Sequence, residues 1–207
     1  MKSTRIVLLE AGFQQDAALN HQELIPFVKS YLFRRNMVTL AFLFLTLLFF
    51  LIWLSVCIFY LASNKLQLTA VFSWSAFAIP ASVLLAPIHE LLHGWAYRIE
   101  GARKVSYKAN WKKLYFMAVA DQFITNRKAF HFIALTPFLI ISLMMLLLSC
   151  FVPPGFKVLF LALLWLHASM CSGDFGLMSY FAENKEREVI TYDDEASGIS
   201  YFYSKKQ

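Results

Sequence analysis

Two histidines and a glutamate lie close together in one apolar segment of the sequence. His89 and His93 are four residues apart, and Glu90 directly follows the first. On a helix this spacing places both imidazoles on one face, where both can bind one Zn²⁺ at roughly 2.0–2.1 Å. Glu90 would accept a proton from a water at the metal and pass it to a leaving amine. The motif therefore predicts zinc-dependent hydrolysis of a peptide bond.

A catalytic zinc needs a third protein ligand and an open fourth position. Asp174, in the sequence Ser172-Gly173-Asp174, is the best candidate because it is the only acid inside the fourth apolar segment. A lone carboxylate within a membrane needs a positive partner, which a metal supplies. His89 and Asp174 also reach similar depths, at about 20 and about 18 residues into segments that run in the same direction. The alternative is an ion pair between Asp174 and a basic residue of the preceding loop.

Two further residues near Asp174 carry groups that can bind a metal. His167 lies two helical turns earlier on the same face, and we expect it to form a hydrogen bond between helices. Its alternative roles are to support a metal ligand or to contact substrate. Cys171 is soft enough to ligate zinc but is expected to be a small packing residue. The predicted site has one catalytic residue, Glu90, and three metal ligands, His89, His93 and Asp174.

The composition is typical of a membrane protein. Apolar residues make up 59% of the 207 positions and charged residues 15%, whereas soluble domains average about 45–50% and about 25%. The net charge of +6 does not indicate nucleic-acid binding, because the basic residues lie between apolar segments. Cys57, Cys150 and Cys171 all lie in apolar segments, so no disulfide framework is expected. The expected partners are therefore the lipid bilayer and a protein or peptide substrate, without nucleic acid.

Four apolar segments are long enough to cross a bilayer core, which takes roughly 20 helical residues. They cover residues 37–63, 68–97, 130–152 and 156–182. Because open sheet edges cannot face lipid, all four are expected to be helices. The sequence thus predicts an all-α integral membrane protein. Its four-helix membrane domain would span residues 37–182, between an N-terminal segment, 1–36, and a polar tail, 183–207.

The distribution of basic residues indicates how the chain is oriented. Residues 98–128, between the second and third segments, contain eight lysines and arginines, whereas each of the other two short connections contains one. Because basic loops remain on the cytoplasmic side, this loop and both termini are predicted to be cytoplasmic. The small size and the lack of organelle signals favour a bacterial plasma membrane.

Three segments outside the membrane carry weaker patterns. Apolar and polar residues alternate over residues 105–111, which is typical of a strand, and residues 114–120 could pair back as a hairpin. This hairpin would either bind an extended peptide at its edge or lie on lipid headgroups. Residues 20–35 are expected to form a short interfacial helix. The acidic tail from residue 183 is expected to be a solvated extension.

Together these residues resemble a known family. The histidine motif, the basic loop after it, residues 132–137 (Phe-Ile-Ala-Leu-Thr-Pro) and Ser172-Gly173-Asp174 are similar to the DUF3267 family of zincin peptidases, over roughly residues 75–180. That family is similar in outline to the site-2 protease group of intramembrane metalloproteases. The resemblance implies a membrane metallopeptidase in which His89, His93 and Asp174 bind the metal and Glu90 is the catalytic acid/base. The site-2 group presents its aspartate in an Asn-Pro-Asp-Gly sequence, so the similarity extends to mechanism better than to substrate.

The predicted function is that of a zinc-dependent membrane-embedded endopeptidase. It would hydrolyse peptide bonds of membrane or membrane-proximal substrates, with zinc-activated water and Glu90 as general base. The alternative is a non-catalytic metal-binding or transport protein that uses the same His and Asp ligands and tolerates a change of Glu90. A purely structural membrane protein would bind no metal.

Overall fold

The computed structural model describes residues 4–20, 23–110 and 115–206. Within these ranges the chain forms helices over about 66% of its length and strands over about 18%. The helices are α1 Thr4–Glu10, α2 Leu24–Leu32, α3 Met37–Ala62, α4 Leu68–Ile99, α5 Arg127–Phe151, α6 Pro154–Met170 and α7 Ser172–Glu183. The strands are β1 Gln14–Asn20, β2 Val105–Asn110, β3 Tyr115–Ala120, β4 Thr125–Asn126, β5 Arg187–Asp194 and β6 Ile199–Lys206.

Three helices, α3, α4 and α5, are long and apolar enough to cross a membrane. Their ends lie within a few residues of the first three predicted segments. The start of α3 is fixed by Asn36, whose side chain accepts hydrogen bonds from the backbone N–H groups of Val38 and Thr39. α4 contains 32 residues and continues through Pro80 and Pro87. At about 1.5 Å per residue, α4 is longer than a hydrocarbon core of about 30 Å.

The fourth apolar segment is bent where a single straight helix was predicted. α6 ends at Met170, α7 begins at Ser172, and the two axes differ by 41°. Only as a bent pair can they form a fourth span. Cys171, Ser172 and Gly173 all have low helix propensity, which explains why the helix breaks here. The bend places Asp174 in the first turn of α7.

The chain is mostly helical, as predicted, but it is not all-α, because four strands form an antiparallel sheet in the order β1-β6-β5-β4. The tail from residue 183 was expected to be a solvated extension, yet it supplies β5 and β6. Val189, Ile190, Phe202 and Tyr203 of these strands are buried. The acidic residues of the tail favoured the interpretation as a solvated segment. The N-terminal partner strand, β1, is also too distant in sequence for a local pattern to indicate the pairing.

The basic loop contains the predicted hairpin. β2 and β3 pair antiparallel, with Val105 opposite Ala120 and Tyr107 opposite Ala118. The parts of that prediction that fall on residues 111–114 lie outside the described residues. The helix predicted within residues 20–35 is confirmed as α2.

The core centres on α6, which packs against α3, α4 and α5. Leu164 and Ala168 of α6 are fully buried. α2 packs on α7 where Gly176 faces Val28, and a Cβ on Gly176 would lie 2.8 Å from the Val28 carbonyl oxygen. Ser179 of α7 also donates a hydrogen bond to the Tyr31 carbonyl oxygen, at 2.8 Å. These contacts hold α7 between the membrane helices and α2.

Candidate active site

α4 brings the two histidines of the motif together. The Nε2 atoms of His89 and His93 are 2.9 Å apart, and both residues are buried. His93 Nδ1 lies 3.0 Å from the carbonyl oxygen of Ile133 on α5. A carbonyl oxygen only accepts, so His93 Nδ1 carries a hydrogen, and in the neutral ring Nε2 then presents a lone pair. This lone pair points toward His89.

His89 is held by a residue of another helix. His89 Nδ1 lies 3.1 Å from Nε2 of His167 on α6. A hydrogen on His89 Nδ1, donated to His167, leaves the His89 Nε2 atom as a second lone pair. Two lone pairs that face each other at this separation repel, and a cation bound between them removes the conflict.

Asp174 completes the arrangement from α7. Its Oδ1 lies 3.2 Å from His93 Nε2, and its Oδ2 lies 3.3 Å from His89 Nε2. Ligand atoms around a tetrahedral zinc are about 3.3 Å apart when each bond is roughly 2.0 Å. Among the described residues, no lysine or arginine forms an ion pair with Asp174. The donor types and their spacing therefore fit zinc.

Glu90 lies beside the two histidines and is positioned by the hairpin. One of its carboxylate oxygens lies within 4.8 Å of a ring nitrogen of each histidine. Its Oε2 accepts a hydrogen bond from the backbone N–H of Ala118 on β3, at 2.7 Å. The carboxylate is thus within reach of a water shared with the histidines. The contact with Ala118 was not predictable from the sequence, because any residue type can supply a backbone N–H.

His167 and Cys171 lie on the side of His89 that faces away from Asp174. His167 is fully buried, and its predicted hydrogen bond between helices is confirmed by the contact with His89. Cys171 Sγ lies 3.8 Å from His167 Nε2 and 4.0 Å from His89 Nδ1. Because both contact Nδ1 of His89, neither shares the position at which Asp174 meets the two Nε2 atoms. His167 is placed to orient His89.

A cavity of about 720 Å³ adjoins these residues. Its walls come from α2, α4, β3, α5, α7 and the β5–β6 pair, and they include His89, Glu90, His93 and Asp174. Three more titratable residues on the walls, Lys29, Tyr97 and Asp193, were not singled out from the sequence. Helical spacing could have indicated Tyr97, which lies four residues after His93. Asp193 reaches the cavity only because β5 joins the sheet.

The wall near Asp193 is acidic. Burial raises the pKa of Asp193 to about 6, and the Ser200 hydroxyl donates a hydrogen bond to its carboxylate. The neighbouring Asp121 behaves differently. Its carboxylate accepts a hydrogen bond from the backbone N–H of Glu195 at 3.0 Å and one from Lys104 at 3.1 Å, which lowers the pKa of Asp121. Asp193 is therefore the less stabilised of the two carboxylates.

One of the three comparisons with known proteins found a match. A family model, DUF3267, described as "Putative zincin peptidase", matches residues 82–188, which include both halves of the site. No curated protein and no solved structure matches the chain. Because the family match covers more than half of the 207 residues, the chain belongs to the DUF3267 family.

Proposed function

We propose that this protein is a zinc-dependent, membrane-embedded endopeptidase. The observation that carries the proposal is the convergence of His89, His93 and Asp174 from two helices, with donor atoms 2.9–3.3 Å apart. Glu90 lies beside them on the wall of a cavity large enough for a peptide segment. The description of the family supports the same class of reaction.

Each side chain then has a distinct task. His89, His93 and Asp174 would hold zinc, which supplies Lewis-acid activation and lowers the pKa of water to about 7. Glu90 accepts a proton from the attacking water and delivers it to the amine nitrogen as the peptide C–N bond breaks. Ile133 and His167 hold the two imidazoles with their Nε2 atoms directed to one point.

The substrate must be extended where it is cleaved, because the carbonyls of a helix are hydrogen-bonded and covered. The hairpin offers a place for such a segment. The Ala118 N–H donates to Glu90 and therefore points away from β2. Ala118 and Tyr107, which lie opposite each other, thus form a pair without hydrogen bonds between their backbones. A peptide laid along this edge of β3 could add as a further strand. The substrates we propose are membrane or membrane-proximal proteins.

The test combines metal content with cleavage by the full-length protein in detergent. We expect the purified wild type to contain about one zinc per chain and to cleave an unstructured, fluorescently labelled casein probe. Glu90→Gln should keep the zinc and lose at least about 100-fold in rate, because only proton transfer is removed. Glu100→Gln, at the exposed end of α4, is the matched control. His89→Ala should lose zinc, whereas His131→Ala should keep it.

The same experiment distinguishes a peptidase from a protein that only binds or transports a metal. A protein that only holds or moves a metal would retain zinc in the wild type and in Glu90→Gln, and neither would cleave the probe. Full activity in Glu90→Gln would overturn the role of Glu90, and a zinc-free wild type would overturn the proposal as a whole.

A further inference from the structure

The cavity contains a second carboxylate that the proposed hydrolysis does not use. Asp193 lies at the end of β5, opposite Ser200 of β6, and its side chain accepts a hydrogen bond from the Ser200 hydroxyl. Its backbone carbonyl accepts from the Gln122 N–H at 2.8 Å, which fixes the strand. Asp193 lines the same cavity as Glu90 and Asp174.

No lysine or arginine among the described residues forms an ion pair with this carboxylate. Within the described ranges, no lysine or arginine nitrogen lies within 4.0 Å of the Asp193 side-chain oxygens. The charge of Lys108 favours the ionised form of Asp193, but Lys108 and Lys104 make their hydrogen bonds and ion pairs with other groups. Lys104 pairs with Asp121 at 3.1 Å and with Glu195 at 2.7 Å, and Lys108 donates to the Glu195 carbonyl oxygen at 3.2 Å.

An unpaired carboxylate in such a wall is costly. Removing a charge from water is unfavourable unless an opposite charge and hydrogen bonds replace the lost hydration. The same wall includes the apolar Phe202 and the uncharged Thr191. A ligand that brings its own positive group would remove this cost on binding, and that is the behaviour of a recognition site.

The separation of Asp193 from Glu90 can be estimated from the residues of β3 that each of them contacts. Ala118 contacts Glu90, and Asp121, three residues further on, forms a bridge with Asp193. Three extended residues span about 10 Å at roughly 3.3 Å each. A peptide lying beside β3 with its scissile bond at Glu90 would therefore present a residue two or three positions away to Asp193.

We propose that Asp193 determines substrate specificity by binding a cationic group, ammonium or guanidinium, two or three residues from the scissile bond. This inference rests on the proposed peptidase function. The cation comes from a lysine or arginine side chain or from the amino terminus of the peptide. An endopeptidase favours the side chain, and the test below separates the two sources.

The probes are unstructured peptides that share one sequence and carry a single lysine moved stepwise along it, each matched by a version with glutamine. Every probe is made with a free and with an acetylated amino terminus. For full-length wild type in detergent, we expect a kcat/KM at least about tenfold higher for lysine than for glutamine at one position, as for a charge-assisted hydrogen bond. Asp193→Asn should reduce this ratio to about one.

Two variants test whether a lost preference for lysine results only from a disturbed structure. Asparagine at position 193 keeps an oxygen that can accept from Ser200, so the β5–β6 contact survives the substitution. Glu188→Gln, an exposed acid on the same strand, is the matched control and should keep the preference for lysine. In a Glu90→Gln background, anisotropy of labelled probes should show the same preference in binding, and Asp193→Asn should abolish it there.

The possible outcomes are distinct. A preference that depends on a free amino terminus and disappears on acetylation identifies the peptide terminus as the cation and leaves Asp193 as its site. Cleavage that is equal for all probes and unchanged in Asp193→Asn overturns the specificity role and leaves the peptidase intact. If the wild type cleaves no probe although it contains zinc, the proposed function fails, and the binding preference in the Glu90→Gln protein still decides the role of Asp193.

Discussion

Oδ1 of Asp174, on α7, lies 3.2 Å from Nε2 of His93, on α4. This contact joins the two halves of the candidate site, because the second oxygen of the same carboxylate meets His89 at 3.3 Å. Asp174 follows directly after the break at which the axes of α6 and α7 differ by 41°. The role of Asp174 as a metal ligand stays a prediction, which the zinc content of Asp174 variants tests.

If Asp174 is the third ligand, Asp174→Ala should lower zinc affinity at least about tenfold, because a site with two histidines is incomplete. Asp174→His or Asp174→Cys should restore part of it, since both residues ligate zinc. Zinc per chain after dialysis against a weak chelator, measured by mass spectrometry, gives the result. Unchanged zinc in Asp174→Asn and in Asp174→Ala would contradict the assignment.

His167 should act through His89. Replacing His167 by alanine removes the group that receives the His89 Nδ1 hydrogen, and zinc affinity should fall by about 10–100-fold, as for other residues that orient a ligand. His167→Gln keeps an acceptor oxygen and should recover part of the affinity. A control at Cys171, replaced by serine, should retain zinc. If His167→Ala and His167→Gln bind zinc like the wild type, the contact with His89 serves packing alone.

Asp193 should make stability depend on pH. Burial raises its pKa from 3.8 to about 6, with Lys108 acting in the opposite direction and Asp121 in the same one. A raised folded-state pKa means that the stabilising contribution is complete below about pH 3.8 and is lost as the pH rises through about 6. At pH 8 ionised Asp193 therefore costs on the order of 2–3 kcal/mol.

Asp193→Asn removes that cost. Its apparent Tm in detergent, followed by tryptophan fluorescence, should exceed the wild-type value by several degrees at pH 8 and by about half as much at pH 5. The other titratable residues of the cavity are the same in both proteins, so the difference between them reports on Asp193. A Tm difference that is equal at both pH values would contradict the prediction.

The orientation in the membrane can be tested with single cysteines. In a Cys150→Ser background, where Cys57 and Cys171 are buried, we introduce Ser63→Cys or Ser197→Cys. Ser63 follows α3 and Ser197 lies in the turn between β5 and β6; both are exposed. The positive-inside bias predicts that an impermeant maleimide labels intact cells at position 63 alone. Labelling of position 197 from outside would reverse the orientation and move the cavity to the other face.

The features that the sequence determined by itself are those that depend on neighbouring residues. The spacing of four between His89 and His93 defines a shared helix face. The uninterrupted apolar residues of α3 and α5 require lipid or core, and the alternation from Val105 onward favours a strand. Each pattern repeats at the period of its own element, so it is readable without knowledge of the fold.

Only the tertiary structure decided the features that join distant segments. β1 and β6 pair across almost the whole chain, and this pairing turns an acidic tail into a buried strand pair. The bend at Cys171 and the contact from Ala118 to Glu90 depend on packing between elements. Asp193 reaches the cavity for the same reason. Hydrogen bonds between strands and contacts between helices have no local periodicity, since the partner that satisfies each group lies elsewhere in the sequence.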